Sequence, residues 1–301
     1  MSTSANISSS ELASLPVSCP PELSKETLSQ FPAFRIWYST LQRSLSRQKH
    51  SSHEFHKDPY VLRKIDVQAV DYFGGGRLGF VKLKADVSNG GGENLPGSVF
   101  LRGGSVGMLV RTFPTLFVPS VCTADFPPPK QLLLQPDDVP STSEHDKWAV
   151  LTVQPRIPAG TLAFSEIPAG MLDDSGAFAG KAAEEIKEET RLEISQSELV
   201  DMTSLALQSF GDPADGETLQ KAVYPSPGGS DEFIPLFLCE KRMPRKDIEA
   251  LQGKLTGLRD NGEKITLKTA PLKDLWKEGI RDGKTLAAWA IYMGLKRENK
   301  L

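Results

Sequence analysis

The sequence predicts a protein of the α+β class, and three observations carry that prediction. Phe34, Trp37, Tyr38, Leu41 and Leu45 recur at helical spacing, and from Val61 onward the apolar period changes to two. Two further helical runs, Ala179 to Thr190 and Thr285 to Arg297, alternate with short apolar runs that read as strands, Trp148 to Val153 and Glu232 to Cys239. A chain of 301 residues with 39% apolar and 24% charged residues can bury a core, which excludes a disordered, collagenous or disulfide-stapled protein.

Taken in order, residues 1–30 start Ser- and Pro-rich with sparse periodicity and are expected to be a disordered tail. Residues 31–95 read as an amphipathic helix followed by a hairpin. Ile65, Val67 and Ala69 alternate with polar positions, Gly74-Gly75-Gly76 turns the chain, and Leu78, Phe80, Val81, Leu83 and Ala85 follow. Residues 96–301 form the main domain, entered through Val99-Phe100-Leu101 and Val106 to Val110. Seven prolines and weak periodicity mark residues 112–147 as a long insertion, expected to be disordered.

Net charge of -3 gives no global attraction to nucleic acid or to an anionic membrane. The longest apolar stretch, Leu286 to Leu295, is far shorter than the ~20 residues that cross a bilayer. Cys19, Cys122 and Cys239 are an odd number at wide spacing with no metal-binding pattern, which predicts a reducing compartment. With neither a basic start nor an apolar leader at the N-terminus, a cytoplasmic location is expected.

Residues Glu166 to Leu192 carry the chemistry. On a helix, Ala179, Ala182, Ala183 and Ile186 share one face, while Glu185, Glu188 and Glu189 converge on another. A solvated acidic face is one reading of that string. Against it, Glu184 with Glu188 and Glu185 with Glu189 are like-charge pairs one turn apart, each costing a few tenths of a kcal/mol. A broken local rule of this kind often marks a site, and clustered carboxylates are what hard divalent cations such as Mg2+ take as ligands.

The segment resembles the Nudix box, G-x5-E-x7-R-E-U-x-E-E-x-G-U, of Mg2+-dependent nucleoside diphosphate-X hydrolases. Gly170 opens it; Glu185, Ile186, Glu188, Glu189 and Leu192 match the second half. Gly176 stands where the family has its first Glu, Glu184 where it has Arg, and Arg191 where it has the last Gly. Segments around the box extend the resemblance to plant ADP-sugar diphosphatases, a branch near the ADP-ribose pyrophosphatases. These are Phe34-Arg-Ile-Trp37, Gly79-Phe80, Val99 to Val110, Gln154-Pro-Arg-Ile-Pro158, Glu166-Ile-Pro-Ala-Gly-Met-Leu-Asp-Asp174, Pro225 to Glu232, Leu251-Gln-Gly-Lys254 and Thr256-Gly-Leu-Arg259.

The resemblance implies an α/β/α sandwich with a mixed sheet, preceded by the N-terminal helix and β-hairpin. It implies Mg2+, with Mn2+ as a substitute, held by Glu185, Glu188, Glu189 and the backbone carbonyl of Ala169. In the loop Ser226 to Glu232 it assigns Glu232 as the base that activates water, with Asp231 as understudy, and Glu189 joins them as a catalytic carboxylate. Gly228 and Gly229 would let backbone approach a phosphate. Arg156, just past a strand end, would grip phosphate oxygens, and Arg102 is the weaker candidate. The implied reaction splits an ADP-sugar, ADP-glucose or ADP-ribose, into AMP and a sugar phosphate. The implied assembly is a homodimer through residues 31–95. Two alternatives stay open: a degenerate module that binds nucleotide sugars without turnover, and a hydrolase of another nucleoside diphosphate derivative.

Overall fold

Among the residues described by the computed structural model, 14–114, 146–172, 178–208, 219–258 and 263–301, ordered elements start well before the helix expected at Phe34. Strand β1 (Val17–Ser18) pairs in parallel with Ile65 and Asp66, and helix α1 (Lys25–Gln30) follows. Ser24 caps α1 by accepting the Thr27 N–H at 3.1 Å. Residues 14–30 are therefore not a tail, because Val17, Leu23 and Leu28 give them enough apolar burial to offset ordering; residues 1–13 lie outside the described residues.

Helix α2 (Pro32–Arg47) starts at a proline, whose missing N–H costs nothing in a first turn. Its stripe is real: Phe34 and Tyr38 are buried and stack at 5.7 Å between ring centroids. Strands β2 (Val61–Phe73) and β3 (Arg77–Ser88) form the expected hairpin, joined at Gly74–Gly76, where Gly75 and Gly76 take φ of 77° and 75°. Strands β4 (Asn94–Leu95) and β5 (Ser98–Leu101) pair antiparallel with β3 to complete a five-stranded sheet. One core, including Leu28, Phe34, Ile65, Val81, Leu83 and Leu101, unites these elements. They belong to the first of two compact units, whose described residues are 14–105, 171–172, 207–208 and 219–234.

The second unit is built on a mixed sheet. Strand β6 (Ser105–Pro114) is buried along nearly its whole length and reads as a continuous run rather than an alternating one. It pairs antiparallel with β7 (Trp148–Arg156). From β7 the chain continues through β8 (Thr161–Glu166) and β9 (Ala169–Met171) into helix α3 (Phe178–Thr190), then β10 (Leu199–Asp201) and α4 (Met202–Gln208). Strand β11 (Leu236–Met243) runs parallel to β6, and after α5 (Arg245–Glu249) strands β12 (Leu255–Thr256) and β13 (Ile265–Pro271) close the sheet, β13 against β7. Helices α6 (Leu275–Glu278) and α7 (Gly283–Arg297) end the chain, and α7 lies against β11.

Several boundaries differ from the sequence expectation. Residues 112–114 finish β6, while 115–145, the bulk of the expected insertion, lie outside the described residues. The strand expected at Glu232 starts only at Leu236, because Asp231 and Glu232 are engaged in side-chain contacts with residues 102–105. No helix of the described residues is long and apolar enough to cross a membrane.

Candidate active site

Helix α3 does not separate its packing face from its acidic face as its sequence predicts. Ala182 and Ile186 are fully buried, and Glu189 is buried with them at 2% exposure, together with Thr190. The carboxylate of Glu189 is turned toward the backbone just ahead of the helix, where it accepts the Ala169 N–H at 3.0 Å. Burial first, and then the neighbouring Glu185, push the Glu189 carboxyl well above its ordinary range. Glu185 lies against Gly170 so closely that a Cβ there would stand 1.9 Å from the glutamate Cδ. Its own carboxyl is raised by burial, against the opposing pull of Lys181, which bonds Glu185 Oε1 and Glu184 Oε2 at 3.0 Å each. Glu188 is only partly buried, and its charge adds to the upward push on Glu185.

These groups suit a hard divalent cation in donor chemistry, being oxygens with excess negative charge beside a glycine that leaves them room. They are not yet gathered round one. Among the described residues no three His, Cys, Asp or Glu side chains stand close enough to hold a metal ion. Lys181 occupies Glu185, and Glu189 is engaged by the Ala169 N–H.

The strands that lead into this helix carry a second group of charges. Glu166, at the end of β8, is 2% exposed and accepts Arg156 Nε at 2.7 Å through one oxygen and Lys284 Nζ through the other. Lys284 also bonds Asp282 Oδ1 at 3.1 Å. Asp282 caps α7 by accepting the N–H groups of Lys284 and Thr285 at 3.3 and 3.2 Å. The Thr285 hydroxyl donates to Asp282 and accepts the Ile167 N–H at 3.0 Å, which ties the start of α7 to the turn that delivers Ala169.

The first unit holds the other expected residues. Glu232 Oε1 receives Arg102 NH1 at 2.7 Å and the Ser105 hydroxyl at 2.9 Å. Asp231 acts on backbone: its carboxylate accepts the N–H of Arg102 at 2.8 Å and of Gly103 at 3.2 Å, and burial still raises it to about 6. Gly228 and Gly229 have no positive φ, and a Cβ on either would meet nothing within 4 Å, so neither is required there for packing or conformation. The Gly229 carbonyl accepts the Phe100 N–H at 2.8 Å. Tyr72, at the hairpin end, donates its hydroxyl to the Glu22 carbonyl.

The structure thus sets Glu189 on Ala169 and Glu185 against Gly170, without gathering Glu185, Glu188 and Glu189 round one point, and binds Arg156 to the adjoining Glu166. It places Glu232, Asp231, Arg102, Gly228 and Gly229 together in the other unit. Lys181, Glu166, Lys284 and Asp282 were not singled out by the sequence. The spacing of Lys181, four residues before Glu185, was visible there as a helical ion pair; Lys284 is 118 residues from Glu166 and left no local signal.

No protein-family profile matches the chain. It is 36% identical over 240 residues to the protein named Nudix hydrolase 14, chloroplastic, of Arabidopsis thaliana, an alignment covering 79% of this chain. The chain spans 64% of that relative's length. A solved structure described as an ADP compounds hydrolase aligns with 80% of this chain and 99% of its own at TM-score 0.39 and 14% identity.

Proposed function

The chain belongs to the Nudix hydrolase family, and from that premise we propose that it hydrolyses the pyrophosphate bond of a nucleoside diphosphate derivative, with an ADP-sugar, ADP-glucose or ADP-ribose, as substrate and AMP and a sugar phosphate as products. The observation that carries this reading is Glu189, a carboxylate buried at 2% exposure beside Glu185 and Ala169 in the segment that matches the family's box. A charge so buried is costly unless a cation meets it.

Mg2+, or Mn2+, would be held by Glu185, Glu188, Glu189 and the Ala169 carbonyl, where it would polarise phosphoryl oxygens and acidify a water. Binding it requires Glu185 to leave Lys181. Arg156, held through Nε, keeps its terminal nitrogens for a phosphate. Glu232 is assigned as proton acceptor and Asp231 as its understudy on the family resemblance. In their own unit Arg102 and Ser105 orient Glu232, so Arg102 steadies the base as well as being a candidate phosphate contact. Gly228 leaves open space for an anion to approach the backbone, whereas the Gly229 N–H is already given to the Ser226 carbonyl at 3.1 Å.

A second reading is favoured by Glu184 and Lys181: with an acid in the family's Arg position and a lysine on Glu185, the chain would bind nucleotide sugars without turning them over. Release of AMP from ADP-glucose, ADP-ribose and UDP-glucose, with and without Mg2+, separates the two. Metal-dependent release that is lost in Glu189→Gln and Glu232→Gln supports the hydrolase; retained binding with no release from any substrate supports the module.

We further propose that the chain pairs as a homodimer through residues 31–95. Cys19 and Cys239 are free thiols, which fits any reducing compartment. The cytoplasm and, as the relative's name suggests, a chloroplast interior both qualify, and imaging of a fluorescent fusion of the full protein distinguishes them.

A further inference from the structure

Glu166, Arg156, Lys284 and Asp282 form a network of two anions and two cations in which three members are nearly sealed from solvent. Side-chain exposure is 2% for Glu166, 10% for Lys284 and 8% for Asp282, against 41% for Arg156. Stability alone does not account for such an arrangement, because ions removed from water lose solvation that their mutual attraction only partly returns. The network has a direction. Asp282 is fixed by capping α7, Lys284 bridges Asp282 to Glu166, Glu166 holds Arg156 by Nε, and only Arg156 reaches solvent.

We propose that Lys284 is a positioning residue that, through Glu166, sets the guanidinium of Arg156 for a substrate phosphate, with the capped start of α7 as its rigid base. This rests on Arg156 as the phosphate grip assigned above. A guanidinium held at Nε has lost rotamer freedom before the ligand arrives, and its terminal nitrogens are presented as a planar fork. Lys284 supplies the charge that keeps both oxygens of Glu166 engaged. Without it, one oxygen of Glu166 would be unheld, and the carboxylate with the Arg156 guanidinium bound to it would sample several positions.

The test compares wild type, Lys284→Met and Lys284→Arg in the full chain by two readouts. In NMR of the Arg Nε–H groups, the Arg156 signal should be sharp and protected from solvent exchange in wild type, broadened or lost in Lys284→Met, and recovered in Lys284→Arg. In steady-state kinetics with ADP-ribose and Mg2+, Lys284→Met should raise KM about 10-fold with kcat within about two-fold, since a grip on the ground state is what weakens. An Arg156 signal unchanged in Lys284→Met overturns the inference, as does a fall in kcat at constant KM. If Lys284→Met does not fold, Glu166→Gln, which keeps the shape and removes the charge, carries the same readouts. A wild type that releases no AMP overturns the hydrolase reading instead, and the NMR comparison then decides this inference by itself.

Discussion

Asp231 directs its carboxylate at the backbone N–H groups of Arg102 and Gly103, yet burial outweighs those bonds and raises it from 3.8 to about 6. A carboxyl raised in the folded state favours folding while protonated. Its contribution is therefore full below about pH 4 and is lost as pH rises through about 6. Asp231→Asn retains an acceptor for the two N–H groups and removes the titration. Chemical denaturation at pH 5 and pH 7.5 should show the wild type losing about 1.4 kcal/mol more than the variant across that interval. Glu189 poses the same problem without a backbone role of comparable reach. Glu189→Gln keeps an acceptor for the Ala169 N–H and should raise the metal-free unfolding midpoint by about 2–5 °C while abolishing metal-dependent AMP release. Of these residues the sequence made Glu189 visible through its spacing and gave Asp231 a catalytic understudy's part. Its capping of residues 102 and 103 depends on a contact 129 residues away in sequence, which no local pattern encodes.

Helix α3 ends on Arg191, which takes a φ of 62° while its N–H donates to the Lys187 carbonyl at 3.0 Å. This is the left-handed position that closes a helix, and it is where the family's box has glycine. Arg191 thus adopts a conformation to which glycine is better suited. Arg191→Gly should therefore stabilise the protein by about 1 kcal/mol in urea unfolding, an uncommon direction for a change to glycine. At the other end of the segment, Gly170→Ala would drive a methyl into Glu185. It should cost about 2–3 kcal/mol or displace Glu185, and either way AMP release should fall at least about 100-fold. Elements with a strong period were legible: the stripe of α2, the hairpin of β2 and β3, α3 from its alanines, and α7. Strands β8, β9 and β10 were not, being short or lacking a clear alternation, so that pairing with longer neighbours defines them; β13 carries a short alternation at Ile265 and Leu267 that the sequence reading did not use. The sharp division of α3 into apolar and acidic faces failed because Glu189 lies seven residues after Ala182 and three after Ile186, on the stripe that packs.

At the scale of the molecule, neither unit is a continuous stretch of chain. The first is assembled from residues 14–105 together with short returns that include 219–234, and those returns supply partners to Phe100, Arg102, Gly103 and Ser105. A fragment ending at residue 105 should accordingly unfold at lower temperature than the same unit in the full chain, and its Arg102 and Gly103 amides should exchange with solvent freely in hydrogen-exchange measurements. Sedimentation of the full chain at micromolar concentration should give twice the 32.9 kDa chain mass if residues 31–95 carry a dimer contact. The interleaving also constrains biosynthesis. When Arg102 is added to the growing chain, the carboxylate that will cap it is 129 residues from being translated, a wait of roughly 6–26 s at 5–20 residues per second. Through that interval the nascent N-terminal sheet carries an unfinished edge, so the elongating chain is a natural client for ribosome-associated chaperones, and slow codons before residue 231 would lengthen its exposure.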